Sequence, residues 1–315
     1  MRYWRLGLAL GVIFLVAFLF NSSSFTQIKE GNVPVSKLPQ KVRQAVYQKL
    51  PGAKIISAYT ENEGGEQGYE ITAKVGDKLY ALEISAQGKV LEFSEERGEI
   101  QEKTERGEEQ EKEEKEVEGG VLYDFEGDQV GQMPQGWSAA VTGRGPNSQW
   151  EIQQMEDAPS PTHVLTQISH PSVSYHFNLA VSDDSHYDDV EISVWLKALT
   201  GRIDQGGGLV WRYKDANNYY IARINPLENN FRVYKVVNGR RIQLQSARIP
   251  LKAGQWYIMK VENIGQKIEC YLDGRRYLEV NESTFKAGRI GLWTKADAVT
   301  AFDNLRVKRG EEEEE

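Results

Sequence analysis

The chemistry this chain can offer is concentrated between Gly206 and Val237, in GGGLVWRYKDANNYYIARINPLENNFRVYKVV. Planar aromatic rings stack on the C–H faces of sugars, and fork-shaped guanidinium or amide groups bond paired hydroxyls. Arg212, Tyr219, Arg223, Asn225 and Arg232 supply such groups, and Trp293 can join them from a later segment. To act together, the six must stand on one face of neighbouring strands. Three runs rich in β-branched and aromatic residues are separated by the turn-forming clusters Lys214–Asn217 and Asn225–Asn230, the pattern of consecutive antiparallel strands. Alternation places Leu209, Trp211 and Tyr213 on one face of the first strand, with Val210 and Arg212 on the other. In the second strand Tyr219, Ile221 and Arg223 alternate with Tyr220, Ala222 and Ile224. The same residues also read as ordinary cross-strand pairs, with some of the aromatics in the core.

Other chemistries find fewer parts. Retaining glycoside hydrolysis on a sandwich needs two carboxylates from one strand face, as in an E-x-D-x-x-E run. None occurs between Gly120 and Lys308, and Asp189 with Glu191 is the nearest approximation. The four histidines, His163, His170, His176 and His186, show no H-x-H or H-x-x-x-H spacing for zinc. His176 alternates with apolar neighbours and reads as a surface residue. Cys270, the single cysteine, excludes an intrachain disulfide. It shares a strand face with Ile268 and Leu272, which predicts a buried, inert thiol.

The elements that must position these residues follow a clear order. Arg2 and Arg5 precede the uncharged apolar run Leu6–Phe20, and small polar residues follow at Asn21–Ser24. This predicts a signal peptide or N-terminal membrane anchor over residues 1–24, touching the membrane through residues 3–20. All that follows would then be exported, periplasmic or extracellular. Residues 33–96 read as a small α+β domain. Leu38, Val42, Ala45, Val46 and Leu50 recur at helical spacing and Pro51-Gly52 stops the helix. Strand-like runs follow at Lys54–Thr60, Gly68–Val75, Lys78–Ile84 and Lys89–Phe93. From residue 120 to 309, short alternating runs predict a β-sandwich or jelly roll, with candidate strands from Val173–Ala180 through Val299–Val307 and hairpin turns at Asn238-Gly239 and Asp273-Gly274.

The formal charge of −8 is unevenly placed. Residues 95–118 hold twelve glutamates against five lysines or arginines, and the tail Glu311–Glu315 adds five more glutamates, so the remainder is mildly basic. The run lacks apolar a/d positions and predicts a solvated linker over 97–119, with an acidic tail over 310–315. No clustered basic face speaks for nucleic acid.

Two resemblances accompany these readings. LPQKVRQAVYQKLPGAKI followed by GYEITAKVGDKLYALEISAQGKVLEF resembles a PepSY-like domain. That implies an extracytoplasmic interaction or regulatory module with a peptide or protease partner. YDFEGDQVGQMPQGW, the central stretch above, GQWYIMKVENIGQKIECYLDGRRYLEV and GRIGLWTKADAVTAFDNLRV resemble the concanavalin A-like jelly-roll superfamily, nearest the 3-keto-disaccharide hydrolase domain and its laminin-G-like relatives. The fold class is therefore mostly β, a C-terminal jelly-roll β-sandwich preceded by a small α+β PepSY-like domain. The superfamily resemblance also implies a structural calcium tying first strand to last, for which Asp124, Glu126, Asp128 and Asp303 offer hard oxygen ligands. The enzyme-like relatives carry an asparagine-serine-glycine strand and a glutamate-glutamine motif. Here the corresponding strand reads GGGLVWRY, and no matching glutamate-glutamine motif is found. Binding of a carbohydrate or cell-surface glycan is the leading expectation. Cleavage of a 3-keto-glycoside and an envelope scaffold working through the PepSY-like unit are the alternatives.

Overall fold

The computed structural model describes residues 33–63, 66–97, 120–160 and 162–310. The leader at 1–24, the linker beyond residue 97 and the tail 311–315 lie outside the described residues. Among the described residues no helix is long and apolar enough to cross a membrane.

The small unit is one helix on an antiparallel meander. Helix α1 (Gln40–Lys49) starts after Pro39, buries Val42, Ala45 and Val46 at helical spacing, and ends as Pro51 and Gly52 (φ +76°) turn the chain. Strands β1 (Lys54–Glu63), β2 (Glu66–Val75), β3 (Lys78–Ser85) and β4 (Val90–Arg97) follow in order. Period-2 alternation gives their sheet two unlike faces. Tyr69, Ile71, Ala73, Leu82 and Ile84 pack with the helix into a core of their own, while Glu61, Glu70, Glu92 and Glu96 serve the opposite face.

The rest of the chain is a β-sandwich. One sheet holds β6 (Trp137–Gly143), β9 (His176–Ser182), β11 (Gly207–Asp215), β12 (Asn218–Asn225), β13 (Asn230–Val237), β14 (Arg240–Arg248) and β18 (Arg289–Lys295). The other holds β7 (Trp150–Met155), β8 (Thr162–Gln167), β10 (Val190–Thr200), β15 (Trp256–Ile264), β16 (Lys267–Leu272), β17 (Arg275–Asn281) and β19 (Val299–Arg309), with β5 (Val121–Tyr123) against β19. Between them lies the main core, including Ile192, Leu196, Trp211, Tyr220, Phe231 and Phe302. Cys270 is in this core, where burial pushes its thiol well up, as its apolar strand face predicts. Asn238 (φ 51°) with Gly239 (φ 78°), and Asp273 (φ 48°) with Gly274 (φ 75°), form the expected two-residue turns with positive φ at both positions.

The first sheet does not stop at β14. Strand β4 lies parallel beside it through the pairs Ser246↔Glu96 and Ala247↔Arg97, making one sheet of eleven strands in the order β1-β2-β3-β4-β14-β13-β12-β11-β18-β9-β6. That sheet curls so far that Glu61 of β1 bonds Lys295 at the end of β18, although seven strands lie between. The polar face of the small unit thus covers the face of the large sheet turned away from the sandwich core, called here the outer face.

Two expectations need correction. The expected linker starts one residue too early, because Arg97 is still part of β4, whose neighbour Glu96 is buried. Strands β5 to β8 were not among the candidate runs. Their sequences mix small and polar residues (WSAAVTG, WEIQQM, THVLTQ), and burial alternates only in part.

Candidate functional site

Five of the six residues expected to meet a sugar share the outer face, but none is exposed. Tyr219, Arg223 and Asn225 of β12, Arg232 of β13 and Trp293 of β18 are each at most 2% accessible. Arg212 is elsewhere. It takes a left-handed conformation (φ 47°) at a bulge where the pairing of β11 with both neighbours shifts. Its guanidinium bonds the Asp188, Phe285 and Gly265 carbonyls and Asp189, at the sandwich edge. The bulge also moves Tyr213 to the outer face, away from Trp211, so the alternation read through this strand breaks there.

Beneath the small unit the outer face carries a sealed ionic network. Arg223 donates to Glu228 (2.8 Å) and the Tyr234 hydroxyl (3.0 Å). Arg232 pairs with Glu70 of β2 and reaches Glu96 of β4 (3.4 Å). Glu61 of β1 accepts from Arg241 (2.6 Å) and Lys295 (2.5 Å), and Lys295 stands 3.6 Å from Asp204, which also accepts from Asn225 (3.3 Å). Burial alone would raise every carboxyl here. At Glu61, Lys295 and Arg241 more than reverse that, holding it far below the usual range. At Glu228, Arg223 and Arg232 likewise overcome burial and hold it at about 2. Burial wins over Arg232 at Glu70, reinforced by Glu228 and Glu61, and pushes that carboxyl up to about 7. It outweighs Lys295 at Asp204, which rises to about 6. Five carboxyls therefore face four cations, and the network comes to balance when Glu70 keeps a proton.

Further along the same face the cover ends and a cleft of about 430 Å3 opens. Its jelly-roll walls are Gly143 at the end of β6 with Arg144 after it, Tyr175 before β9, Asn217 in the β11–β12 turn, and Asn238 to Arg241 in the β13–β14 turn and the start of β14. Glu83 of β3, with Leu91 and Glu92 of β4, closes the opposite wall. The loops are tied together: the Gly239 amide donates to the Asn217 carbonyl (2.9 Å) and the Arg144 amide to the Tyr175 carbonyl (3.1 Å). The Asn238 amide donates to the Asn218 side chain (3.0 Å). Gly143 (φ +93°) is required, since a Cβ there would lie 2.2 Å from the Tyr175 carbonyl oxygen. His176 is fully buried beneath, its Nδ1 2.7 Å from the Arg144 carbonyl and its Nε2 2.9 Å from Asn178. This corrects its reading as a surface histidine: its ring bonds replace water. Tyr175 packs edge-on against Phe177 (5.1 Å between centroids). Arg144, Asn217, Asn238 and Arg240 are exposed. These cleft residues were absent from the expected set. Their one sequence signal was membership in turns of a strand-rich domain, where a rigid scaffold presents binding groups.

The expected calcium ligands each have bonds to protein groups. Asp303 accepts from the Ser160 amide (2.8 Å) and hydroxyl (2.9 Å), Glu126 from the His163 amide (2.9 Å), Asp124 from the Glu126 amide (3.2 Å) and Asp128 from the Gln135 amide (3.2 Å). Among the described residues no group of three or more His, Cys, Asp or Glu side chains has metal-holding geometry.

No protein-family model matches the chain. In sequence it is similar to levanase of Bacillus subtilis (strain 168), at 30% identity over 118 residues. The match covers 36% of this chain and 17% of the levanase, so the chain spans a minor part of that curated relative. Among solved structures it is similar to carbohydrate binding module CBM66 from Bacillus subtilis, with 21% identity and a TM-score of 0.45 over 55% of this chain and 96% of that one. Domain 4 of AbnA, a GH43 extracellular arabinanase from Geobacillus stearothermophilus, in complex with arabinotriose, shares 13% identity. Its TM-score is 0.38 over 60% of this chain and 91% of that one.

Proposed function

We propose that this chain is an exported glycan-binding protein, held at the membrane by its N-terminal segment, whose sugar site is the open cleft between the β6, β11–β12 and β13–β14 loops and the small unit. The observation that carries this reading is the lining itself. One half-buried aromatic wall, Tyr175, stands among exposed guanidinium and amide groups, in a volume suited to a small saccharide. The short stretch of likeness to levanase makes levan the first saccharide to try.

Binding without cleavage fits the carboxylates better. Of the two in the lining, Glu92 is tied to the β14 backbone by the Gln243 amide (2.9 Å), whereas a two-carboxyl hydrolysis needs both groups for the bond being broken. Among the described residues no histidine lines the cleft. The small unit turns its polar face onto the jelly roll, which favours a shared binding wall over an independent peptide groove.

Calorimetry of the full chain against levan oligosaccharides and a panel of neutral glycans tests the reading. Millimolar or tighter binding, weakened about tenfold in Tyr175→Ala and also weakened in Arg240→Ala, is the expected result. A silent panel, or binding that neither variant weakens, defeats it.

A further inference from the structure

We infer that the outer face of the large sheet is a carboxylate-binding site that the chain fills with its own small unit, and that a carboxylate-bearing oligosaccharide is the ligand class able to compete for it. This goes beyond the cleft reading and stands independently of it.

The charges come first. On the jelly-roll side Arg223, Arg232, Arg241 and Lys295 outnumber Glu228 and Asp204 by two. A desolvated surface with that excess requires an anion. The small unit brings Glu61 and Glu96 as the two anions and Glu70 as a third carboxyl, each on a different strand, so the face is met at separated points rather than by one group. A chain of uronic acids presents carboxylates in the same repeated way, with C–H faces for the aromatic rings that surround the cations. The Arg241 guanidinium already lies 4.5 Å over the Tyr234 ring and 5.3 Å from that of Phe177.

Little else holds the occupant. The small unit keeps its own apolar core, the sandwich has its own, and the outer-face cluster around Trp293 and Tyr219 draws on no residue of the small unit. Backbone continuity across the seam is two residue pairs of β4 with β14. What remains is mostly polar: the ion pairs, the Tyr59 hydroxyl on the Leu227 carbonyl (2.9 Å) and Gln243 on Ser94 (2.7 Å). Polar seams of this kind between units of one chain permit relative motion.

The occupant also fits imperfectly. The buried Nε of Arg223 and the second carboxylate oxygen of Glu96 have no hydrogen-bond partner. An unused donor on the cation side and an unused acceptor on the occupant side are what a ligand with differently spaced carboxylates would exploit.

The test uses the full chain with an oligogalacturonate as the carboxylated probe and a neutral levan oligosaccharide as control. Glu61→Gln combined with Glu96→Gln removes charge from the occupant while keeping its shape, and should bind the oligogalacturonate at least tenfold tighter than the unaltered chain. Neutral levan affinity should not change. Equal affinity of both proteins for the acidic probe, with an unchanged near-UV circular dichroism spectrum, overturns the proposal. Should the double variant fail to fold, hydrogen exchange of the unaltered chain decides. Faster exchange of β1 and β2 amides with saturating oligogalacturonate supports the proposal, and unchanged exchange overturns it. Tyr175→Ala separates the two readings, because it should lower neutral-glycan affinity about tenfold and leave acidic-probe binding as it was.

Discussion

At one end of the outer face Arg223, Arg232, Arg241 and Lys295 lie sealed beneath the small unit, each paired with carboxylates of the same chain. At the other end Arg144 and Arg240 stand exposed at a cleft beside Tyr175. The side-chain types are nearly the same and the sheet is continuous. The difference lies in cover: where β1 to β4 fold over the sheet, cations become structural, and where that cover stops they remain available to solute. Arginine on a sheet face is therefore informative about binding only once its desolvation is known.

The sharpest way to break this comparison is to remove one arginine from each end. Arg232→Ala strands Glu70, Glu96 and Glu228 around a buried void and should cost about 3–5 kcal/mol of stability by urea denaturation. Arg240→Ala should leave the urea midpoint unchanged while weakening glycan binding. If the two midpoints move alike, the contrast is wrong.

A smaller effect sharpens the sealed end. Glu70 rises on folding from an ordinary carboxyl to about 7, so its contribution is fully present below pH 4.5 and is lost as pH rises through 7. Asp204 acts in the same sense, from 3.8 to about 6. Glu228 has the opposite sign: its contribution is present above pH 4.5 and fades as pH falls toward 2. Stability should therefore peak in weakly acidic solution and fall toward pH 8. Glu70→Gln, which resembles the protonated form, should flatten that fall by on the order of 1–3 kcal/mol between pH 5 and 8, read from denaturation curves at each pH.

At the open end, Tyr175→Ala should lower affinity for a neutral glycan about tenfold, roughly 1.4 kcal/mol, without moving the pH profile. The smallest change expected is at the turn that shapes the cleft. Gly239→Ala places a methyl group 3.0 Å from the Asn217 side chain at φ +78°, and should cost on the order of 1 kcal/mol in a thermal melt.

Much of this architecture was legible in the sequence, for identifiable reasons. The helix of the small unit followed from Val42, Ala45 and Val46, and its four strands from apolar alternation between turn residues. Asn238-Gly239 and Asp273-Gly274 marked hairpins because two successive positive φ angles favour those residues. The face shared by Tyr219, Arg223, Asn225 and Arg232 followed from period 2. What alternation could not carry was the bulge at Arg212, where one residue in a left-handed conformation resets the pattern. Nor could it show that the covering partner would be Glu61, Glu70 and Glu96, which lie 136–234 positions from the cations they meet. Local patterning reports which residues share a face, and long-range curling of a sheet decides whether that face sees solvent. The cleft was hidden for the same reason, since its walls come from six segments that only the fold brings together.

The two-residue alignment of β4 with β14 also bears on self-association. Strand β14 would otherwise end its sheet with an unpaired row of amides and carbonyls, and such rims recruit strands from other molecules. By extending the sheet through β4 to β1, the small unit moves the rim to a strand whose Glu61 and Tyr59 are already anchored on the jelly roll. A fragment starting near residue 120 would lose this guard, and its tendency to form dimers or fibres through β14 should rise with concentration.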